Sequence, residues 1–233
     1  MSHLYDLADL EMLAHDCLTR TGVAQDAARA VARDVSLAEA YALPDGGFVS
    51  LLRDIRLIRY GRLLPSADVE ISRPAPTILR VAAGHGFAAA ALGDALPELC
   101  ERTLREGMGM IHLTQASDPG PMAGTMMALA ENGLAAIGVC AQGKTYAVGP
   151  NGMRVTPLDQ GTGGMLDALL SLAPPSEDSP LDGPVAHTAW LAAIDPAVTS
   201  IHDLMDRLPL GDVTRPAGGI PVAPELLAQI VNA

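Results

Sequence analysis

The chain has 233 residues, 49% of them hydrophobic, which is enough for one large core or two small ones. Its 27 acidic residues outnumber 15 basic ones, for a net charge of −12. With no Lys/Arg cluster, that balance excludes a nucleic-acid partner, because phosphate recognition needs a concentrated positive surface.

Residues 6–20 repeat Leu, Met and Ala at helical spacing and stop at Thr21-Gly22. A second helix is predicted from Asp26 to about Tyr41, with Ala, Val and Leu on one face. Pro44-Asp45-Gly46-Gly47 is a loop by its turn chemistry, and Phe48–Tyr60 is again helical, with Arg53, Arg56 and Arg59 along a solvated side. Asp68–Ala82 reads as extended. Gly84-His85-Gly86 turns into an Ala-rich helix from Phe87 to Glu106. A strand over Gly109–Thr114, a loop over Gln115–Pro121, a helix over Met122–Asn132 and a strand over Ala135–Ala141 follow. Gly143–Gly164, rich in Gly, reads as mostly irregular, and Pro174–Pro184 as a polar surface linker. A short helix over Met165–Leu172, a strand over Ala189–Ile194, a helix over Ser200–Arg207 and a terminal helix over Pro224–Val231 complete the reading.

The acidic N-terminus lacks the pattern of a secretory leader, and apolar runs such as Phe87–Leu92 fall short of a membrane span. Cys17, Cys100 and Cys140 are far apart and unpaired by motif, as expected of buried thiols in a reducing cytoplasm. No two histidines stand at helical ligand spacing, so no metal site is expected. Gly84–Gly86 lacks both the GxGxxG and GxxxxGK[ST] patterns and reads as a tight strand-to-helix turn.

Three blocks in order carry a resemblance. The first runs from Leu10 through Thr21-Gly22-Val23 and Glu39-Ala40 to Gly47-Phe48-Val49-Ser50-Leu51-Leu52-Arg53 and Tyr60-Gly61. The second is Gly84-His85-Gly86-Phe87, the Ala-rich helix, Gly107–Ile111 and Ala116–Gly120. The third is Gly161–Leu170, Ala193-Ile194-Asp195-Pro196 and Gly219-Ile220-Pro221. Together they resemble the non-Rossmann malate/L-lactate dehydrogenase family, which includes ureidoglycolate and sulfolactate dehydrogenases, and the chain looks like a shortened, degenerate member. The resemblance implies an α+β fold: a helical terminal domain from residues 1–65 and 161–233, and a reduced mixed sheet, the remnant of the cofactor domain, from 66–160. It also implies a homodimer and a small-molecule ligand.

The departures shape the functional expectation. The histidine of the family's Ser-His-Gly motif falls on Gly46 and its nearby arginine on Ser50. The second loop histidine falls on Asp118, and the His and Lys of Gly-His-Lys-Gly fall on Thr162 and Gly163. Only Leu158–Gln160 stand between Pro157 and Gly161, where the family carries a long segment that helps to hold the cofactor. Keto-acid reduction needs a hydride donor, a proton donor and a cation for the carboxylate. Losing the expected groups for all three predicts a repurposed enzyme with no cofactor, of lyase, isomerase, dehydratase or cyclase type. Asp45 and Asp118 would be its acid/base pair, if burial pushes their pKa values apart. Ser50, Gln115, Ser117, Lys144 and His85 would be its substrate contacts. Read singly, Asp45 is also an ordinary turn residue and Asp118 a helix cap. Two alternatives stand beside this one: a non-catalytic ligand- or partner-binding protein, and a residual NAD(P)-dependent 2-keto acid or imine reductase.

Overall fold

The computed structural model describes residues 3–43, 45–140, 145–149, 152–156, 183–198, 211–212, 216 and 218–233. The expected helices over 165–172 and 200–207, most of the 174–184 linker, and Lys144, Thr162 and Gly163 lie outside the described residues.

Three N-terminal helices form where the apolar periodicity predicts them: α1 (Leu7–Arg20), α2 (Gln25–Ala40) and α3 (Gly47–Arg59). The Asp6 carboxylate accepts the Asp9 N–H at 2.8 Å and so caps the start of α1. Strands β2 (Glu70–Ala75) and β3 (Ile78–Gly86) form an antiparallel pair. Helix α4 (Ala88–Glu106) then crosses over to β4 (Met108–Ala116), which runs parallel to β3. At the end of α4, Gly107 takes φ +84, the left-handed cap that glycine adopts most readily.

Helix α5 (Ala123–Glu131), β5 (Ala135–Cys140), β6 (Thr145–Gly149), β7 (Gly152–Thr156), β8 (His187–Ile194) and β9 (Gly211–Asp212) follow. The sheet order is β2-β3-β4-β8-β5-β6-β7-β9, mixed, with antiparallel pairing everywhere except β3–β4. β8 is hydrogen-bonded between β4 and β5, so a segment well beyond residue 161 sits at the centre of the sheet. Two stretches of the Gly-rich segment, read as irregular, pair as the antiparallel strands β6 and β7. Its glycines at 149 and 152 are paired residues at the turn end of that hairpin, so composition alone misled there. A second, two-stranded sheet pairs β1 (His3–Tyr5) with β10 (Ile220–Val222), just before α6 (Pro224–Val231).

One core lies between the sheet and helices α4 and α5, built on Leu79, Val81, Leu92, Leu99, Ile111, Leu113, Met126 and Leu191. The other gathers Leu10, Leu18, Val31, Phe48, Leu51, Ile55 and Ile230 from the terminal helices. α2 contributes to both, Leu37 and Ala38 to the first, Val31 and Val35 to the second. The two clusters therefore meet along one helix, and the cleft described below opens at that seam. On the sheet's other face His112 is packed as its strand position predicts, stacked on Trp190 at 4.2 Å. It is not fully satisfied, since its Nε2 and the Trp190 Nε1 are buried without hydrogen-bond partners.

Candidate active site

The cleft is assembled from α2, α3, the start of α4 and the loop between β4 and α5. α3 begins at Gly47, whose φ of +72 and the absence of a Cβ let the Glu39 carboxylate of α2 lie directly against it. From there Glu39 accepts the Phe48 N–H at 3.0 Å and fixes the first turn of α3 to α2. Opposite, the Ser117 N–H donates to the Gly86 carbonyl at 2.8 Å, and the Ser117 hydroxyl accepts the Ala88 N–H at 3.1 Å. The loop thus answers one of the open backbone donors of α4. The Asp118 Oδ1 accepts the Gly120 N–H at 3.1 Å, an Asx turn that holds this carboxylate at the cleft wall.

These pieces enclose a narrow pocket with free space of about 20 Å³, enough for about one water. Of the residues singled out from sequence, Asp45, Ser50, Ser117 and Asp118 line it together, and the two loops touch. Gln115, exposed and with φ +52, is not in its lining. Nor is His85, whose Nδ1 is bonded to the Val185 carbonyl at 2.7 Å on a different side of the turn. The Ser50 hydroxyl donates to the Gly47 carbonyl at 2.7 Å, so it is partly engaged within its own helix.

The sequence reading missed the centre of the site. Arg53, assigned to a solvated side with Arg56 and Arg59, keeps an exposed side chain but also donates from Nη1 to Asp118 Oδ2 at 2.9 Å. Its Nε stands 3.5 Å from Asp54 Oδ1, close enough for attraction but not for a hydrogen bond. Asp54 is a buried residue whose Oδ1 has no hydrogen-bond partner. Asp34, from α2, also lines the cleft and accepts the Gly124 N–H at 2.8 Å. A sequence signal was available: Asp34 sits between Val31 and Val35, and Asp54 between Leu51 and Ile55, on the stripes that face the core. An acid on such a stripe is rarely placed there by packing alone.

Burial pushes the Asp54 carboxyl up to about 7; Arg53 opposes the rise, while Asp118 and, more weakly, Asp34 add to it. Burial likewise raises Asp34 to about 6, moderated by the Gly124 N–H. The negative field extends to β5 and β6: Cys140 and Tyr146 are raised, first by burial and then by neighbours that include Asp118. Both aspartates hold protons in the folded chain that the unfolded chain, with its ordinary value of 3.8, releases. Raising the pH from about 4 through about 7 therefore costs stability, and the cost levels off above the folded values. Asp54→Asn removes the Asp54 share of it. Its thermal midpoint is expected above wild type at pH 8, with the gain shrinking toward pH 4; a gain of equal size at both pH values refutes the assignment.

The chemical arrangement is three carboxylates, Asp34, Asp54 and Asp118, lining the cleft beside the start of α4, with the Arg53 guanidinium against two of them, Asp54 and Asp118. The profile of the malate/L-lactate dehydrogenase family matches residues 5–155, well over half of the chain. The chain belongs to the malate/L-lactate dehydrogenase family. Two curated relatives carry the name Delta(1)-pyrroline-2-carboxylate reductase. The protein from Ancylobacter novellus is 29% identical over 153 residues, covering 62% of this chain and 45% of that one. The protein from Pseudomonas fluorescens is 26% identical over 122 residues, covering 52% and 36%. The chain thus matches less than half the length of either. Among solved structures, malate dehydrogenase from Pyrococcus horikoshii aligns over 99% of this chain and 94% of its own, with a TM-score of 0.75 at 14% identity. Delta1-piperideine-2-carboxylate reductase from Pseudomonas syringae aligns over 99% of both chains, with a TM-score of 0.71 at 15% identity. At such identities these two establish the fold.

The relatives overturn one expectation. A cofactor-independent lyase, isomerase, dehydratase or cyclase was predicted because residues expected by motif are missing. Both curated relatives of this member of the malate/L-lactate dehydrogenase family are named as reductases. The prediction compared positions one by one and overlooked Arg53, three residues from Ser50, whose guanidinium pairs with Asp118 of the cleft lining. Among the described residues, no helix is long and apolar enough to cross a membrane.

Proposed function

We propose that this chain acts in an NAD(P)-dependent reductase of small imino acids. The observation that carries the reading is that both curated relatives of this malate/L-lactate dehydrogenase family member carry the name Delta(1)-pyrroline-2-carboxylate reductase. Arg53, paired with Asp118 and 41% exposed at its side chain, is the cation that would receive the substrate carboxylate.

The lining tests how a dinucleotide fits. Asp34, Asp54 and Asp118 in the cleft lining make a region that repels phosphates, and its free space of about 20 Å³ holds about one water, so these residues do not fit a pyrophosphate and no cofactor-binding role is given to them. Reduction of Δ1-pyrroline-2-carboxylate by the purified chain with NADH or NADPH, followed by loss of nicotinamide absorbance, is the test. Steady oxidation that depends on the imine is the expected result. No oxidation with either nucleotide overturns the reading.

A further inference from the structure

Helix α3 presents two faces. Ser50 and Asp54, four residues apart, line the cleft. Leu52, Ile55, Arg56 and Arg59, spaced i, i+3, i+4 and i+7, share the opposite side of the helix. That side meets α6 across an open groove with free space of about 360 Å³, against about 20 Å³ in the cleft. The groove has the size of an ordinary small-molecule site, roughly 300–1,000 Å³.

We propose that this groove is a binding site for a small carboxylate with an apolar body, and that Arg56 receives the anion. Leu52, Ile55 and Ala228 give the groove its apolar surface, and Arg56 and Arg59 its charge. No Asp or Glu lines it, in a chain whose net charge is −12. The two arginines differ in what holds them. Arg59 donates from Nη2 to the Ala233 carbonyl oxygen, and Arg20 of α1 donates to the carbonyls of Val231 and Ile230 at 3.0 and 3.3 Å. These two answer the open carbonyls at the end of α6. Arg56 is left over: among the described residues it has no hydrogen-bond or ion-pair partner. Its place in the last turn of α3 suits a cation, because the helix dipole is negative there. That accounts for the charge of Arg56 and leaves its donors open to a ligand.

The chemistry favours a carboxylate over other anions. A planar guanidinium meets a carboxylate through two parallel N–H donors, and the body attached to that carboxylate covers Leu52 and Ala228, removing apolar surface from water. Inorganic phosphate forms the same charge-assisted bonds but brings nothing to cover that surface. The groove and the reductase reading stand independently, because Arg53 and Asp118 take no part in its lining.

The test uses benzoate, titrated calorimetrically into the full chain at neutral pH and low ionic strength, with benzamide and inorganic phosphate alongside. Saturable one-to-one binding of benzoate is expected. Benzamide, which has the same ring and no charge, should bind about tenfold more weakly or worse, and Arg56→Gln should lose as much affinity for benzoate. Both Arg56 and Ala228 are exposed, so their variants should keep the wild-type thermal midpoint. Ala228→Phe fills the groove without touching its charge and should abolish benzoate binding. Arg53→Ala, on the cleft side, should bind benzoate as wild type does. Absence of saturable binding, or wild-type affinity in Arg56→Gln, overturns the proposal. So does a loss of affinity in Arg53→Ala that Arg56→Gln does not share. Phosphate bound as tightly as benzoate overturns the requirement for an apolar body. Light scattering on the same samples covers the remaining occupant: a dimer that Ala228→Phe splits, with no benzoate bound, gives the groove to a second copy of the chain and overturns the proposal as well.

Discussion

Replacing Arg53 with alanine is expected to lower kcat/KM for a small imino acid by roughly 30-fold or more, mainly through KM. Truncating one member of a partly buried, hydrogen-bonded charge pair costs about 2 kcal/mol at the lower end of the usual range. The lower end applies because the Arg53 side chain keeps 41% exposure, against 16% for Asp118. The loss has two parts, since a substrate carboxylate loses its cation and Asp118 is left beside Asp54 without the charge that separates them. Arg53 holds the Asp54 carboxyl down. Its removal therefore raises Asp54 further. Arg53→Lys should recover only part of the activity, because one guanidinium faces Asp118 through Nη1 and Asp54 through Nε, and a lone ammonium cannot occupy both places. Steady-state kinetics across pH for the three proteins test these points. An unchanged KM in Arg53→Ala would remove Arg53 from substrate binding.

The second large effect concerns Gly46. Its backbone, at φ −117 and ψ −161, is extended and open to any residue, so the demand for glycine is one of space. A Cβ would meet the Ala38 Cβ and the ring of Pro121 inside any normal contact distance. Both neighbours are buried, Ala38 in the core against the sheet, and neither is the far end of a flexible side chain. Gly46→Ala is expected to cost about 1–3 kcal/mol, as overpacking usually does, and to lower the thermal midpoint by several degrees. Gly46→His, which restores the histidine of the resembling motif, should be less stable still and should gain no reductase rate. A histidine variant that folds with the wild-type midpoint would show that the wall between α2 and the 117–121 loop yields.

Much of the framework was readable from the chain. The apolar spacing in α1, α2 and α3 and the glycines at 47 and 107 act over a few residues, where helical period and backbone sterics decide the outcome locally. The order of three motif blocks pointed to the right family. The hairpin of β6 and β7 was not readable, because strand pairing is a relation between segments and its glycines resemble those of a loop. Nor was the central position of β8, which depends on β4 and β5 offering it two edges at once.

The site divides in the same way. The sequence by itself, through the resemblance its motif blocks carry, pointed to two loops around Asp45–Ser50 and Ser117–Pro121, and residues of both line one cleft. Only the tertiary structure decided that Arg53 pairs with Asp118, that Asp54 is left with an unanswered oxygen, and that Asp34 reaches the same pocket from another helix. The physical reason is that charge and burial act through space. A carboxylate on an apolar stripe becomes an acid near neutral pH only once the opposing helix and loop have displaced its water, and no spacing along one strand of sequence records that displacement.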